Sequence, residues 1–159
     1  MKNETETMPF ERRKVAGLLA KAELQELIGF WSKHSSQMQV DVLRAPETGL
    51  VMARGRIGGG GAPFNLGETT VTRATVRVHV EGGSAEGVVG HSYALGRDHE
   101  KAKLAAIADA LWQSPQIKAA VEQELLQGIA KRIDDRAAQR RREVAATKVD
   151  FFTMVRGED

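Results

Sequence analysis

Between residues 38 and 95 the chain reads as consecutive strands, with alternating apolar side chains clearest at 38–45 and 73–80, and helical periodicity appears only before and after that block. Strands that follow one another without intervening helices join through short turns as antiparallel neighbours, whereas parallel strands need long crossovers. The chain is therefore confined to the α+β class, with helices gathered at the two ends of a sheet rather than alternating with strands. With 159 residues it fits one domain, which we place at residues 10–159. Residues 1–9 read as a polar, disordered tail.

The clearest strand runs from Glu68 to Val80, where Ala74, Val76, Val78 and Val80 face one way and Arg73, Thr75, Arg77 and His79 the other. Before it, residues 38–45 alternate and residues 50–57 read as a second strand, the two separated by Pro46-Glu47-Thr48-Gly49, a combination that favours a turn. After it, Glu81-Gly82-Gly83-Ser84-Ala85-Glu86 turns the chain into residues 88–95. The expected sheet is thus an antiparallel four-stranded meander. Symmetric pairing across its last loop sets Arg77 near His91 and His79 near Val89.

Apolar residues at Val15, Leu18, Leu19, Leu24, Leu27, Ile28 and Trp31 predict two short helices or one kinked helix. The break falls at Gly17 or near Ala22–Glu23. Downstream, Asp98 suits an N-cap, and Leu104, Ile107, Ala108, Leu111 and Trp112 form a stripe. The alanines around that stripe permit a close neighbour. Ser114–Pro115 predicts the start of a last helix reaching about Lys148. Beyond it, Phe151, Phe152, Met154 and Val155 crowd apolar surface into a terminus, so residues 150–159, with Arg156, read as a docking tail.

Chemistry is constrained mainly by what the sequence lacks. Without cysteine there is no thiolate nucleophile, iron–sulfur ligation or disulfide framework. The four histidines, at 34, 79, 91 and 99, have no metal-binding spacing, and no Gly-x-Ser-x-Gly elbow occurs. No catalytic residue and no metal site is therefore assigned. No stretch is apolar enough to span a membrane or act as a leader, so a cytoplasmic protein is expected. Net charge is +2 and aromatic content 5%, which disfavours nucleic acid as a partner. The stretch 131–148, with seven basic and three acidic residues, reads better as a solvated or partner-facing helix.

One bias stands out. From residue 36 to 99 every Lys or Arg is an arginine: 44, 54, 56, 73, 77 and 97. Arginine is the side chain for bidentate oxyanion contacts. Arg54 and Arg56 flank a tetraglycine at 58–61, Arg73 and Arg77 share a strand face, and Arg97 precedes a helix N-terminus. These five are the candidate anion-binding residues. A plain hairpin loop, a solvated sheet face and an ordinary N-cap are the competing readings.

Several stretches resemble the G-subunit family of the carbon–phosphorus lyase core complex. They are Arg44-Ala45-x-Glu47-Thr48-Gly49-Leu50-Val51, Arg54-x-Arg56-Ile57-Gly58-Gly59-x-Gly61 and Glu68-x-Thr70-x-Thr72-Arg73-Ala74-x-Val76-Arg77. Gly90-x-Ser92-Tyr93-x-x-Gly96-Arg97-Asp98 and Val149-Asp150-Phe151-Phe152-Thr153-Met154-Val155-Arg156-Gly157 complete the set. The resemblance implies bacterial phosphonate use and a hetero-oligomer with H, I and J subunits and an ATP-binding L subunit. It implies that Mg-ATP is a substrate of the complex, which joins it to methylphosphonate as α-D-ribose 1-methylphosphonate 5-triphosphate. The nucleosidase-type centre belongs to the I subunit in that family and radical chemistry to the J subunit. An accessory subunit that binds no cofactor of its own is the implied role. Direct triphosphate or phosphonate binding by the arginines is the alternative, and a nucleic-acid-binding regulator a second one.

Overall fold

The computed structural model describes residues 11–147, so the readings made for residues 1–9 and for the docking tail 150–159 fall outside it. Two helices open the described chain, α1 (Arg12–Ala20) and α2 (Leu24–His34). Gly17 sits inside α1, and the break falls at residues 21–23. There the Glu23 amide donates to the Glu26 carboxylate over 2.7 Å, which satisfies one of the orphan donors of α2.

Three strands follow: β1 (Met38–Arg56), β2 (Pro63–Val80) and β3 (Val88–Leu95), antiparallel in the order β1-β2-β3. The expected four-stranded meander is corrected to three strands, because residues 46–49 do not reverse the chain. Met38–Val42 pairs with Val76–Val80, and Glu47–Ala53 continues in the same direction opposite Gly67–Arg73. Two register shifts, at Val42/Arg44 and Arg44/Glu47, absorb the extra residues as bulges. Proline has no N–H for a ladder, but β1 is an edge strand with one neighbour, so Pro46 at a bulge is tolerated. Turn-forming residues bend this strand and do not end it.

Helix α3 (His99–Gln113) lies across the inner face of β2 and β3. Asp98 caps it by accepting the Lys101 amide over 2.8 Å. Every residue from Leu104 to Trp112 is buried, so the helix is enclosed all round by the sheet on one side and by α1, α2 and the last helix on the other. The close approach expected from its alanines is present. A β-carbon at Gly90 of β3 would stand 2.0 Å from the Ala106 carbonyl oxygen and 2.5 Å from the Ala110 nitrogen. Only glycine fits there.

The last helix, α4, starts at Lys118, later than the Ser114–Pro115 expectation. It runs through Lys118–Ala120, a π-helical turn at Val121–Leu126, and Gln127–Ala146. Arg132 ties it to the α1–α2 corner. Its guanidinium donates to Glu26 Oε1 at 2.7 Å, Glu26 Oε2 at 2.9 Å and the Lys21 carbonyl at 3.0 Å. That contact holds the Glu26 carboxyl below its ordinary range. No described helix is long and apolar enough to cross a membrane.

Candidate subunit interface

Because side chains alternate along β2, Thr72, Ala74, Val76 and Val78 are buried against α3, and Arg73, Thr75, Arg77 and His79 line the opposite, open face. The pairing with β3 sets Thr75 opposite His91, Arg77 opposite Val89 and Arg73 opposite Tyr93. This corrects the expected Arg77–His91 and His79–Val89 pairs by two residues. A two-residue slip preserves which face each side chain occupies, so the shared face of Arg73, Arg77, His79, His91 and Tyr93 survives the wrong register.

That face is already charge-paired. Glu47 accepts from Arg73 and from Arg44, the latter at 3.0 Å, and Arg73 also reaches the Tyr93 hydroxyl at 3.5 Å. Arg73 and then Arg44 pull the Glu47 carboxyl below its ordinary range, and Tyr93 followed by Glu47 raises the Arg73 guanidinium. His79 Nε2 lies 3.1 Å from Asp41, and His91 Nδ1 lies 3.1 Å from the Thr75 hydroxyl. Arg77 is different: its Nε is enclosed without a hydrogen-bond partner among the described residues.

The five candidate arginines do not converge within one chain. Arg73 and Arg77 are four residues apart on one strand, about 13 Å. Arg54 lies seven positions along β1 from Glu47, the partner of Arg73, or about 23 Å away. Arg54 and Arg56 sit near the far end of the β1–β2 hairpin, which the tetraglycine closes. Gly58 and Gly59 adopt φ of 58° and 78° there, and Arg56 donates to the Gly61 carbonyl at 3.0 Å. Arg97 is exposed at the β3–α3 junction, where the Asp98 carboxylate already fills the helix N-terminus.

Sequence reading missed the residue that organises the other edge of the sheet. Asp109, 2% exposed in the middle of α3, is gripped by Arg12 of α1 at 2.8 Å and accepts the His91 backbone N–H at 2.9 Å. Gln113 donates to the Val89 carbonyl at 3.0 Å. Two side chains of α3 thus occupy one outward N–H, that of His91, and one outward C=O, that of Val89, where a neighbouring strand would otherwise pair. The available signal was one carboxylate inside an otherwise apolar run, Ala105-Ala106-Ile107-Ala108-Asp109-Ala110-Leu111.

Among the described residues, nothing covers the opposite end of the sheet. Beyond Thr70, which accepts the Gly96 amide, β3 contributes no further pairing, and β1 and β2 continue alone for about 20 Å as a two-stranded arm. Leu50, Val51, Met52, Ile57, Phe64 and Leu66 are all exposed on it, Ile57 at 73% and Leu66 at 63%. The arm is anchored at its root by a hydroxyl chain. Thr72 spends its proton on the Gly96 carbonyl at 2.7 Å, so Thr48 donates to Thr72 and His99 Nε2–H donates to Thr48 at 2.9 Å.

Residues 10–157 match the family described as phosphonate metabolism protein PhnG. The chain is also 52% identical over 149 residues to the alpha-D-ribose 1-methylphosphonate 5-triphosphate synthase subunit PhnG of Rhizobium meliloti (strain 1021), covering 94% of this chain and 91% of that protein. The chain belongs to the PhnG family. Three of the stretches that carried the resemblance lie on the arm and the open face, and a fourth spans β3 to the cap of α3. The PhnG-like closing stretch from Val149 lies outside the described residues.

Proposed function

We propose that this chain is an accessory, bracing subunit of the synthase that joins methylphosphonate to the ribose of Mg-ATP. The relative's name supplies the product, and the observation that carries the bracing role is the arm. A two-stranded ribbon is marginal in water by itself, and six large apolar residues left in solvent on one is the mark of a surface that another protein covers. The H, I and J subunits and the ATP-binding L subunit are its partners in this reading, in the cytoplasm. Phe151, Phe152, Met154, Val155 and Arg156 contribute a second contact. The chain binds no cofactor itself.

The test is co-expression of the full chain with those four subunits, followed by native mass measurement and an assay of adenine release from Mg-ATP with methylphosphonate. The chain is expected in the assembly, the assembly is expected to need it, and the purified chain is expected to release no adenine. Adenine release by the chain on its own, or full synthase activity without it, would overturn the reading. A clamp of Arg54, Arg56, Arg73 and Arg77 on one anion gains no support, because these residues are spread over more than 20 Å of sheet.

A further inference from the structure

Residues 47–53 of β1 pair with β2 without a register shift, so successive side chains there point to opposite faces of the ribbon. Leu50 and Met52 share the face of Thr48 and Thr72, and Val51 shares the face of Glu47 and Arg73. All three are exposed, at 61%, 49% and 42%. A ribbon that lay on a flat partner would bury one face and keep the other polar, as half-covered antiparallel sheets do. Exposed apolar side chains stand on both faces of this ribbon, with Thr70 and Glu68 opposite Leu50 and Met52 and Thr69 opposite Val51. Its charge is also unevenly distributed: from residue 48 to 71 the charged side chains are Glu68 part-way along and Arg54 and Arg56 near the tip. Arg54 has no ion pair or hydrogen bond among the described residues, and Arg56 bonds only a carbonyl of its own hairpin.

Resting on the subunit reading above, we propose that the arm is inserted into a two-walled cleft of a partner protein. Apolar side chains of that cleft cover Leu50 and Met52 on one face and Val51 on the other, and carboxylates at its closed end meet Arg54 and Arg56. The two-sided apolar surface requires two walls. The cationic tip requires acidic groups at the depth that the tip reaches, since a desolvated guanidinium without a counter-charge is strongly unfavourable. The root fits this geometry, because the Gly96–Thr72–Thr48–His99 chain fixes the direction in which the arm leaves the domain.

The sequence has no cysteine, so single cysteines report cleanly on this chain. Leu50→Cys and Val51→Cys are labelled with a maleimide, free and in the co-purified assembly, and the label on this chain is read by mass. Protection of both positions in the assembly is expected. Protection of one alone means a flat contact and overturns the cleft. Separately, Arg54→Glu/Arg56→Glu is expected to weaken assembly roughly a hundredfold, and Arg54→Lys/Arg56→Lys to restore most of it. Unweakened assembly by the Glu pair, with loss only of Mg-ATP or inorganic triphosphate binding, would assign the tip to an anion and overturn the carboxylate partner. If the unaltered chain fails to co-purify, the subunit reading itself falls. If it co-purifies with residues 48–71 still exchanging hydrogen freely, only the inserted arm falls.

Discussion

The sheet has two ends built on opposite principles. At the β3 end, the His91 N–H and the Val89 C=O, which face away from β2, are satisfied by Asp109 and Gln113 of α3, and Arg12 closes over the carboxylate. At the arm, neither helix nor strand among the described residues covers a stretch that exposes six large apolar side chains. Both ends belong to one chain with one composition, so the difference lies in where buried polar chemistry is placed. A sealed edge serves folding, because it stops unwanted strand addition. A bare one costs the isolated chain little and is useful only once another protein supplies its core.

The contrast makes the sealed end the place where single substitutions do most damage. Gly90→Ala is expected to be the most disruptive, about 3 kcal/mol or more, because the added carbon cannot fit beside the Ala106 carbonyl and α3 must lift from the sheet. Urea unfolding of the purified chain measures it. Unchanged stability would mean that α3 packs on β3 less closely than the geometry requires. Asp109→Ala comes next, at about 2–3 kcal/mol, since it strands the His91 N–H in a buried site while the half-exposed Arg12 returns to water. Faster hydrogen exchange at His91 in the variant would tie the loss to the edge.

How far the sequence revealed these ends depended on the range of the interaction. Alternation at residues 73–80 is local and reports one buried face, so the strand, its inward residues and the membership of the open face were legible. The role of Asp109 was not, since its partners Arg12 and His91 are 97 and 18 residues away. Residues 46–49 misled because their turn preference is real, yet a bulge on an edge strand accommodates the same residues. The arginine bias was visible, but its separation into root, face and tip depends on the length of β1, which the false turn had cut in two.

A smaller effect falls on the helical layer behind the sealed end. The Arg132 guanidinium lowers the folded-state pKa of Glu26, so the contact stabilises the fold above the ordinary carboxylate range and fades as pH falls through the lowered value. Glu26→Gln is expected to cost about 1 kcal/mol near pH 7, and that cost should shrink as pH falls through the lowered value. Denaturation of the two proteins across the acid range gives the difference directly. A gap that does not narrow with falling pH would assign the role of Glu26 to packing, not charge.

The smallest expected effect sharpens the comparison most. Leu50→Ser with Leu66→Ser changes two large side chains, yet both are already mostly in water, so the stability of the purified chain should move by less than about 0.5 kcal/mol. In a covered sheet the same pair of changes would cost several times more. Assembly should respond in the opposite sense, with a loss of co-purification far exceeding the change in the free chain. Urea unfolding and native mass measurement on the same preparation test both halves. A large loss of stability in the free chain would mean that the arm folds back on its own domain, and the distinction between a sealed and a bare end would disappear.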